Sequence, residues 1–204
     1  MNLTEYKVLL LVVTAIMALL VASPALQRLL VYPQTDFFTE MWLLGPEHKA
    51  ENFPSNITSN SNYNIYVGLE NHLGSCAYYS IQVKLRNQSQ SAAGSFTHTA
   101  SSLPPLHSIT YLVADNGTWE MPVEFSFLYT YIEDPVNTTF SRVNVNSIIF
   151  NGVTLDLEGF SVARDPKRDG FFLNLFFELW IYNDTTREFD YHERYTSLWF
   201  NMMV

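Results

Sequence analysis

Cysteine is nearly absent: the chain of 204 residues has one, Cys76. A single thiol forms no internal disulfide, no CxxC redox pair and no thiolate zinc cage. Positive charge is scarce too. Lysine and arginine total 11 against 20 aspartates and glutamates, for a formal net charge of −9, the wrong sign for holding nucleic acid or an anionic membrane surface by charge. Helical stripes are hard to find beyond residue 33, no repeat of about 20–50 residues is visible, and no GxSxG elbow, P-loop or GxGxxG occurs. What the chain has in quantity is apolar surface. It is 48% hydrophobic, with 15 Phe, 12 Tyr and 4 Trp, which suits one domain with a substantial core and excludes disorder over most of its length. The rings read as core area in a domain without disulfides.

The apolar content is concentrated first at residues 8–26, VLLLVVTAIMALLVASPAL, a run without charge. As an α-helix at about 1.5 Å per residue it rises roughly 29 Å, close to a hydrocarbon core. Arg28 and Tyr32 follow at the expected headgroup level. The domain reading is a short cytoplasmic N-terminus at 1–7, a transmembrane helix at 8–32 and an extracytoplasmic β-domain at 33–204. The run exceeds the apolar region of a cleaved signal peptide, despite small residues at 21–25, so an uncleaved signal-anchor is preferred. Flanking charge says little about direction, because Lys7 on one side faces only Arg28 on the other. Sequons say more: N-x-S/T occurs at Asn56, Asn87, Asn116, Asn137 and Asn183, each at an expected turn or strand end, which makes these the expected glycosylation sites and puts the domain outside the cytoplasm.

Beyond Pro33 the period changes to two. Ala77, Tyr79, Ile81, Val83 and Leu85 alternate with Ser80, Gln82, Lys84 and Arg86, the pattern of a half-buried strand. The same reading covers 37–44, 65–69, 108–113 and 125–131. Runs at 143–150 and 153–157 flank Asn151-Gly152, a type I′ hairpin signal, and 115–117 is a second turn. The segment 171–182 is apolar on both faces and reads as a central strand. Residues 183–194 read as a loop before a last strand at 195–204. Serine- and threonine-rich stretches at 55–61 and 88–102 read as surface loops. Eight or nine strands at this spacing predict an all-β, immunoglobulin-like β-sandwich after one transmembrane helix.

The block Phe37-Phe38-Thr39-Glu40-Met41-Trp42-Leu43-Leu44-Gly45-Pro46, followed by Lys49-Ala50-Glu51-Asn52-Phe53-Pro54, resembles an uncharacterised archaeal membrane-protein family, domain of unknown function sixteen-sixteen. Tyr66-Val67-Gly68-Leu69-Glu70-Asn71-His72 and the pair Phe177-Glu178-Leu179-Trp180 and Leu198-Trp199-Phe200 extend the similarity over most of 35–204. The resemblance implies a membrane-tethered, outward-facing β-domain and brings no catalytic residues, because none are assigned in the family. Read physically, Gly45-Pro46 ends a strand and 47–54 is a polar loop.

Chemistry-bearing residues are scattered. His48, His72, His98, His107 and His192 lack metal spacing, and residues 165–170 put Lys167 and Arg168 where a calcium loop needs oxygen ligands. The pairs Glu133-Asp134 and Asp156-Glu158 are expected from the acidity alone. No catalytic, cofactor or metal site is therefore expected, and no enzyme. The expected role is a single-pass, N-glycosylated surface protein with a structural or interaction role in the envelope or a membrane complex. Its expected partners are the lipid bilayer through the helix and other membrane or envelope proteins, with homo-oligomerisation kept as an option. Two alternatives are a pilin-like filament subunit, because Glu5 precedes the apolar helix, and an envelope-glycan-binding module or enzyme, because tryptophans and carboxylates are both present.

Overall fold

The computed structural model describes residues 3–29, 37–94, 97–135 and 140–204. The chain forms two units, Met1–Phe37 and Phe38–Val204. In the first, α1 runs over Leu3–Leu29. Six apolar residues in succession, 8–13, leave it no polar side, and from Val8 to Leu20 its large apolar side chains are between 48% and 69% exposed. Thr14 turns its hydroxyl back to donate to the carbonyl oxygens of Leu10 and Leu11, at 2.8 and 3.0 Å, the local solution for a hydroxyl on an otherwise apolar helix.

The expected span at 8–32 needs correction. The helix begins earlier, at Leu3, and ends at Leu29, while residues 30–36, including Tyr32, lie outside the described ones. Among the described residues no helix is long and apolar enough to cross a membrane.

The second unit is mostly β. In chain order its strands are β1 (Phe38–Leu44), β2 (Asn56–Thr58), β3 (Tyr63–His72), β4 (Ala77–Asn87), β5 (His107–Val113), β6 (Gly117–Ile132), β7 (Arg142–Phe150), β8 (Val153–Asp156), β9 (Ser161–Ala163), β10 (Phe172–Asn183) and β11 (Glu188–Met203). One sheet has the order β1-β3-β6-β7-β8, with β9 also paired to β7, and the other has the order β2-β11-β10-β4-β5. Every pairing is antiparallel except β2 with β11.

The described strands number eleven, against the eight or nine expected. β2 lies inside the serine-rich stretch read as a loop, and its Ile57 is wholly buried. β9 is a three-residue addition on the side of β7. The loop expected at 183–194 is shorter, because β11 begins at Glu188. That half of β11 pairs only with β10, since β2 joins at Asn201, and a sheet edge accepts the charges that made the segment look like a loop.

Local chemistry explains the rest. Asn151 and Gly152 both have positive φ, 47° and 79°, as a type I′ turn requires, and they join β7 to β8. Along β4 and β10 the odd-numbered residues point into the core, among them Tyr79, Ile81, Leu173, Leu175 and Phe177. Rings from the two sheets meet there, Phe200 lying 5.2 Å from Phe125 and 6.0 Å from Phe127. Tyr129 closes one end of the core: its hydroxyl reaches the carbonyl oxygens of Ile57 at 2.9 Å and Met203 at 2.6 Å, and burial holds its pKa above the ordinary tyrosine value.

Candidate functional site

The expected glycosylation sites occupy unequal positions. Asn56 is exposed at the start of β2 and uses its oxygen, accepting from Asn201 Nδ2 at 3.3 Å. Asn116 is exposed in the left-handed residue of the turn between β5 and β6, φ 54°, where its Nδ2 donates to Asp115 at 3.0 Å. Asn183 caps the turn between β10 and β11, accepting from the Thr185 amide at 2.9 Å and donating to Asp190 at 2.7 Å. Asn87, at the end of β4, is half-buried and donates its Nδ2 inward to the carbonyl oxygen of Ser161 at 3.1 Å. Asn137 lies outside the described residues.

The histidines stay apart. His48 pairs with Glu120, His72 with Glu70, His98 with Glu193, at 3.0, 3.3 and 2.6 Å, while His107 lies against Phe150 and His192 hydrogen-bonds Thr39. Among the described residues no group of three or more His, Cys, Asp or Glu could hold a metal. In the loop at 165–170, Asp165 accepts from the Lys167 amide at 2.9 Å and from Arg168 Nε at 2.8 Å, and Arg164 pairs with Asp169. Arg168 and the backbone donors hold the Asp165 carboxyl below the ordinary aspartate value. Cys76 is exposed, and the hydrogen bonds of His72 go to Glu70 and Asn116.

What the fold does gather is a pair of side-chain clusters on the two outer faces. On the first sheet, Trp42 of β1 lies opposite Gly68 of β3. A Cβ added at Gly68 would stand only 2.3–2.5 Å from the indole ring, so the glycine exists to let the ring lie flat on the sheet. Beside it, Glu120 of β6 accepts from Trp42 Nε1 at a long 3.5 Å and pairs with His48 Nδ1, and the His48 ring covers Tyr66 at 3.7 Å. Gly45 is equally constrained, since a Cβ there would meet the Glu51 carbonyl oxygen at 2.0 Å. The residues carrying the family-like block thus hold one another in a fixed shape.

On the second sheet the even-numbered residues of β4 and β10 face outward, yet Lys84 and Glu178 are almost completely buried, 2% and 0% exposed, and paired at 2.7 Å. Part of their cover comes from the stretch at 97–106 that leads into β5, which lies over the pair at Ser101 as a strap. The Ser101 amide donates to Glu178 Oε1 at 2.8 Å, Lys84 donates to the Ser101 carbonyl oxygen at 3.1 Å, and Trp180 Nε1 donates to Glu178 Oε2 at 3.3 Å. Removing two ions from water costs several kcal/mol each, which only a close pair with further hydrogen bonds offsets. One group nearby is left out: the Tyr191 hydroxyl is buried without a hydrogen-bond partner. Burial, with the Glu178 charge second, pushes its pKa up to about 12.

A third set links the sheets through the core. Tyr79 donates its one hydroxyl proton to Asn71 Oδ1 at 3.1 Å. Thr39, 2.9 Å away, must then donate to the Tyr79 oxygen, and His192 Nε2, 2.8 Å from Thr39, must donate in turn. Three bonds therefore fix the tautomer of His192, with Nε2 protonated. Burial lowers the pKa of His192 below 6.5. Sequence reasoning missed all three sets, whose partners stand 94 residues apart for Lys84 and Glu178 and 153 apart for Thr39 and His192.

Fold and clusters together define a mostly β, two-sheeted domain following an apolar helix. Residues 33–131 match the model of a family described as Domain of unknown function (DUF1616), the family that the block at 37–54 resembles. The match takes in β1 to β5 and nearly all of β6. The similarity expected over most of 35–204 is shown over this shorter stretch, and the hairpin of β10 and β11 lies beyond it. No curated protein matches the chain.

Proposed function

We propose that the chain is a membrane-held envelope protein whose β-domain faces the exterior and works by contact with other proteins of the envelope or of a membrane complex. The observation that carries this is α1, whose large apolar side chains from Val8 to Leu20 are all exposed. A helix hydrophobic all round belongs either in a packed core or in lipid. The sequence adds support: the uncharged run at 8–26 would, as a helix, rise about 29 Å, which favours a membrane anchor with the N-terminus in the cytoplasm.

The immunoglobulin-like reading of the domain is supported by its connections. β3 and β4 are consecutive but lie in different sheets, β10 and β11 form a hairpin inside the second sheet, and the short β2 runs parallel to β11. Asn56 and Asn116, exposed in a strand end and a turn, are the sequons best placed to carry glycans. The held shape around Trp42 and the strap over Lys84 suit recognition by a rigid surface.

Alkaline extraction of membranes, followed by protease treatment of intact cells, tests the reading. The protein is expected to stay with the membrane fraction and to lose residues 38–204 to the protease. Release into the alkaline supernatant, or complete protection in intact cells, would overturn it.

A further inference from the structure

The tryptophans of the β-domain differ in what lies against them. The Trp119 ring is 4.3 Å from that of Tyr111, the Lys84 ammonium stands 5.7 Å from the Trp180 ring, and the Arg86 guanidinium 4.8 Å from that of Trp199. Among the described residues neither a ring nor a cation takes that place on Trp42. Beneath its indole is bare backbone. A Cβ at Gly68 would come within 2.3, 2.4 and 2.5 Å of three ring atoms, near-equal distances that put the glycine under the face of the ring and not at its edge. β3 turns Ile65, Val67 and Leu69 into the core, so Gly68 is on the outer side of the sheet, and the half-buried Trp42 turns its second face outward.

Polar groups stand around this plate at fixed positions. Glu120 Oε2 meets its Nε1 edge at 3.5 Å, while Glu120 Oε1 pairs with His48 Nδ1 at 3.0 Å. The His48 ring is 3.7 Å from that of Tyr66, so imidazole on phenol forms a raised wall beside the indole floor. The loop that delivers His48 is rigid. Gly45 has no room for a Cβ under the Glu51 carbonyl oxygen, its amide donates to the Lys49 carbonyl oxygen at 2.7 Å, and His48 itself is left-handed at φ 55°. A residue other than glycine in that conformation carries a cost that its neighbours must offset, and here it sets one imidazole over Tyr66. Floor, wall and rim are therefore preformed, as a binding site requires.

We propose that Trp42, Glu120 and His48 form a saccharide-binding site that takes one ring of a neutral, glucose-like oligosaccharide. Such a ring, with its hydroxyls equatorial, carries C–H groups on both faces and O–H groups radiating in its own plane. Its C–H face fits the electron-rich face of the indole, and its hydroxyls meet acceptors at the rim, the Glu120 carboxylate first. A cation would instead need carboxylates above the ring face. Glu120 lies at the N–H edge, and both it and Glu70 are already joined to imidazoles, Glu70 to His72 at 3.3 Å. Acidic sugars are repelled by Glu40, Glu70 and Glu120, which share this face of the sheet, in a chain of net charge −9. The site adds a glycan to the protein contacts proposed above, and its binding does not depend on which side of the membrane the domain lies.

The test uses the full chain in an uncharged detergent without a sugar headgroup, with nitrogen NMR of the indole N–H groups. Cellotetraose, the probe, is expected to shift the Trp42 resonance saturably and to leave those of Trp119, Trp180 and Trp199 in place. His48→Ala, a change at an exposed loop residue, removes the wall and is expected to weaken binding about ten-fold. Gly68→Ala tips the ring and is expected to abolish binding; because that change also strains the sheet, the His48 variant decides where it does not fold. No shift with cellotetraose, a shift with tetramethylammonium in its stead, equal shifts of all the indoles, or a His48→Ala variant that binds as tightly as wild type would each overturn the proposal.

Discussion

β3 and β10 are both interior strands of their sheets, and their outer faces are kept dry in opposite ways. Over β3 a single indole ring lies on Gly68, and Glu120, His48 and Tyr66 fix its surroundings. Over β10 the stretch at 97–106 is strapped down through Ser101 onto an ion pair. The first device is local and apolar, so its loss costs contact area. The second places two charges where water cannot reach, so each member depends on the other and on the strap. A central strand can thus be covered cheaply by shape or specifically by charge.

The largest expected effect breaks the charged cover. Glu178→Gln leaves Lys84 buried without its counter-ion and should destabilise the domain by about 3–5 kcal/mol in chemical denaturation, whereas Lys84→Met/Glu178→Leu together should cost far less. Equal losses in the single and double variants would show that the strap is held by something other than the pair. Next is the ring cover. Gly68→Ala forces the Trp42 ring off the sheet and should cost about 1–3 kcal/mol; in a Trp42→Ala background the same change should cost little, a coupling that a double-mutant cycle reads directly.

His192 joins the two sheets, and its effect is a matter of pH. Its pKa is lowered in the folded state, so the unfolded chain binds a proton more readily and stability falls as pH drops below about 6.5. Above that value the contribution is fully present. The melting temperature of His192→Gln should therefore fall less steeply than wild type between pH 6.5 and the lowered pKa, and nitrogen NMR of the wild type should find Nε2 protonated. The smallest effect has the opposite sign. Tyr191→Phe removes a buried hydroxyl without a partner and should stabilise the domain by up to about 1 kcal/mol; a loss of stability would mean that the hydroxyl is in fact bonded.

Those devices also mark where sequence reading stops. The alternation over 77–85 and the Asn151-Gly152 turn depend on neighbours in the chain, and both were legible as β4 and the hairpin of β7 and β8. The doubly apolar segment at 171–182 was legible as a central strand for the same reason. β2 was not, because three residues in a polar stretch become a strand only by pairing with the far end of the chain. The first half of β11 was hidden by charges that an edge tolerates. Lys84 looked like an ordinary wet-face residue, since nothing local announces that Ser101 will fold over it. Sequons were legible as patterns, but the inward bond of Asn87 to Ser161 was not, and that bond makes Asn87 the placed sequon expected to be least glycosylated in glycopeptide mass spectrometry.

The proposed placement of the β-domain outside the cytoplasm carries the proposed role, and the lone, exposed Cys76 provides its most direct test. A membrane-impermeant maleimide applied to intact cells is expected to label Cys76 to the same extent as after lysis, with Cys76→Ser silent in both. Labelling that appears only once the cells are broken would contradict the account.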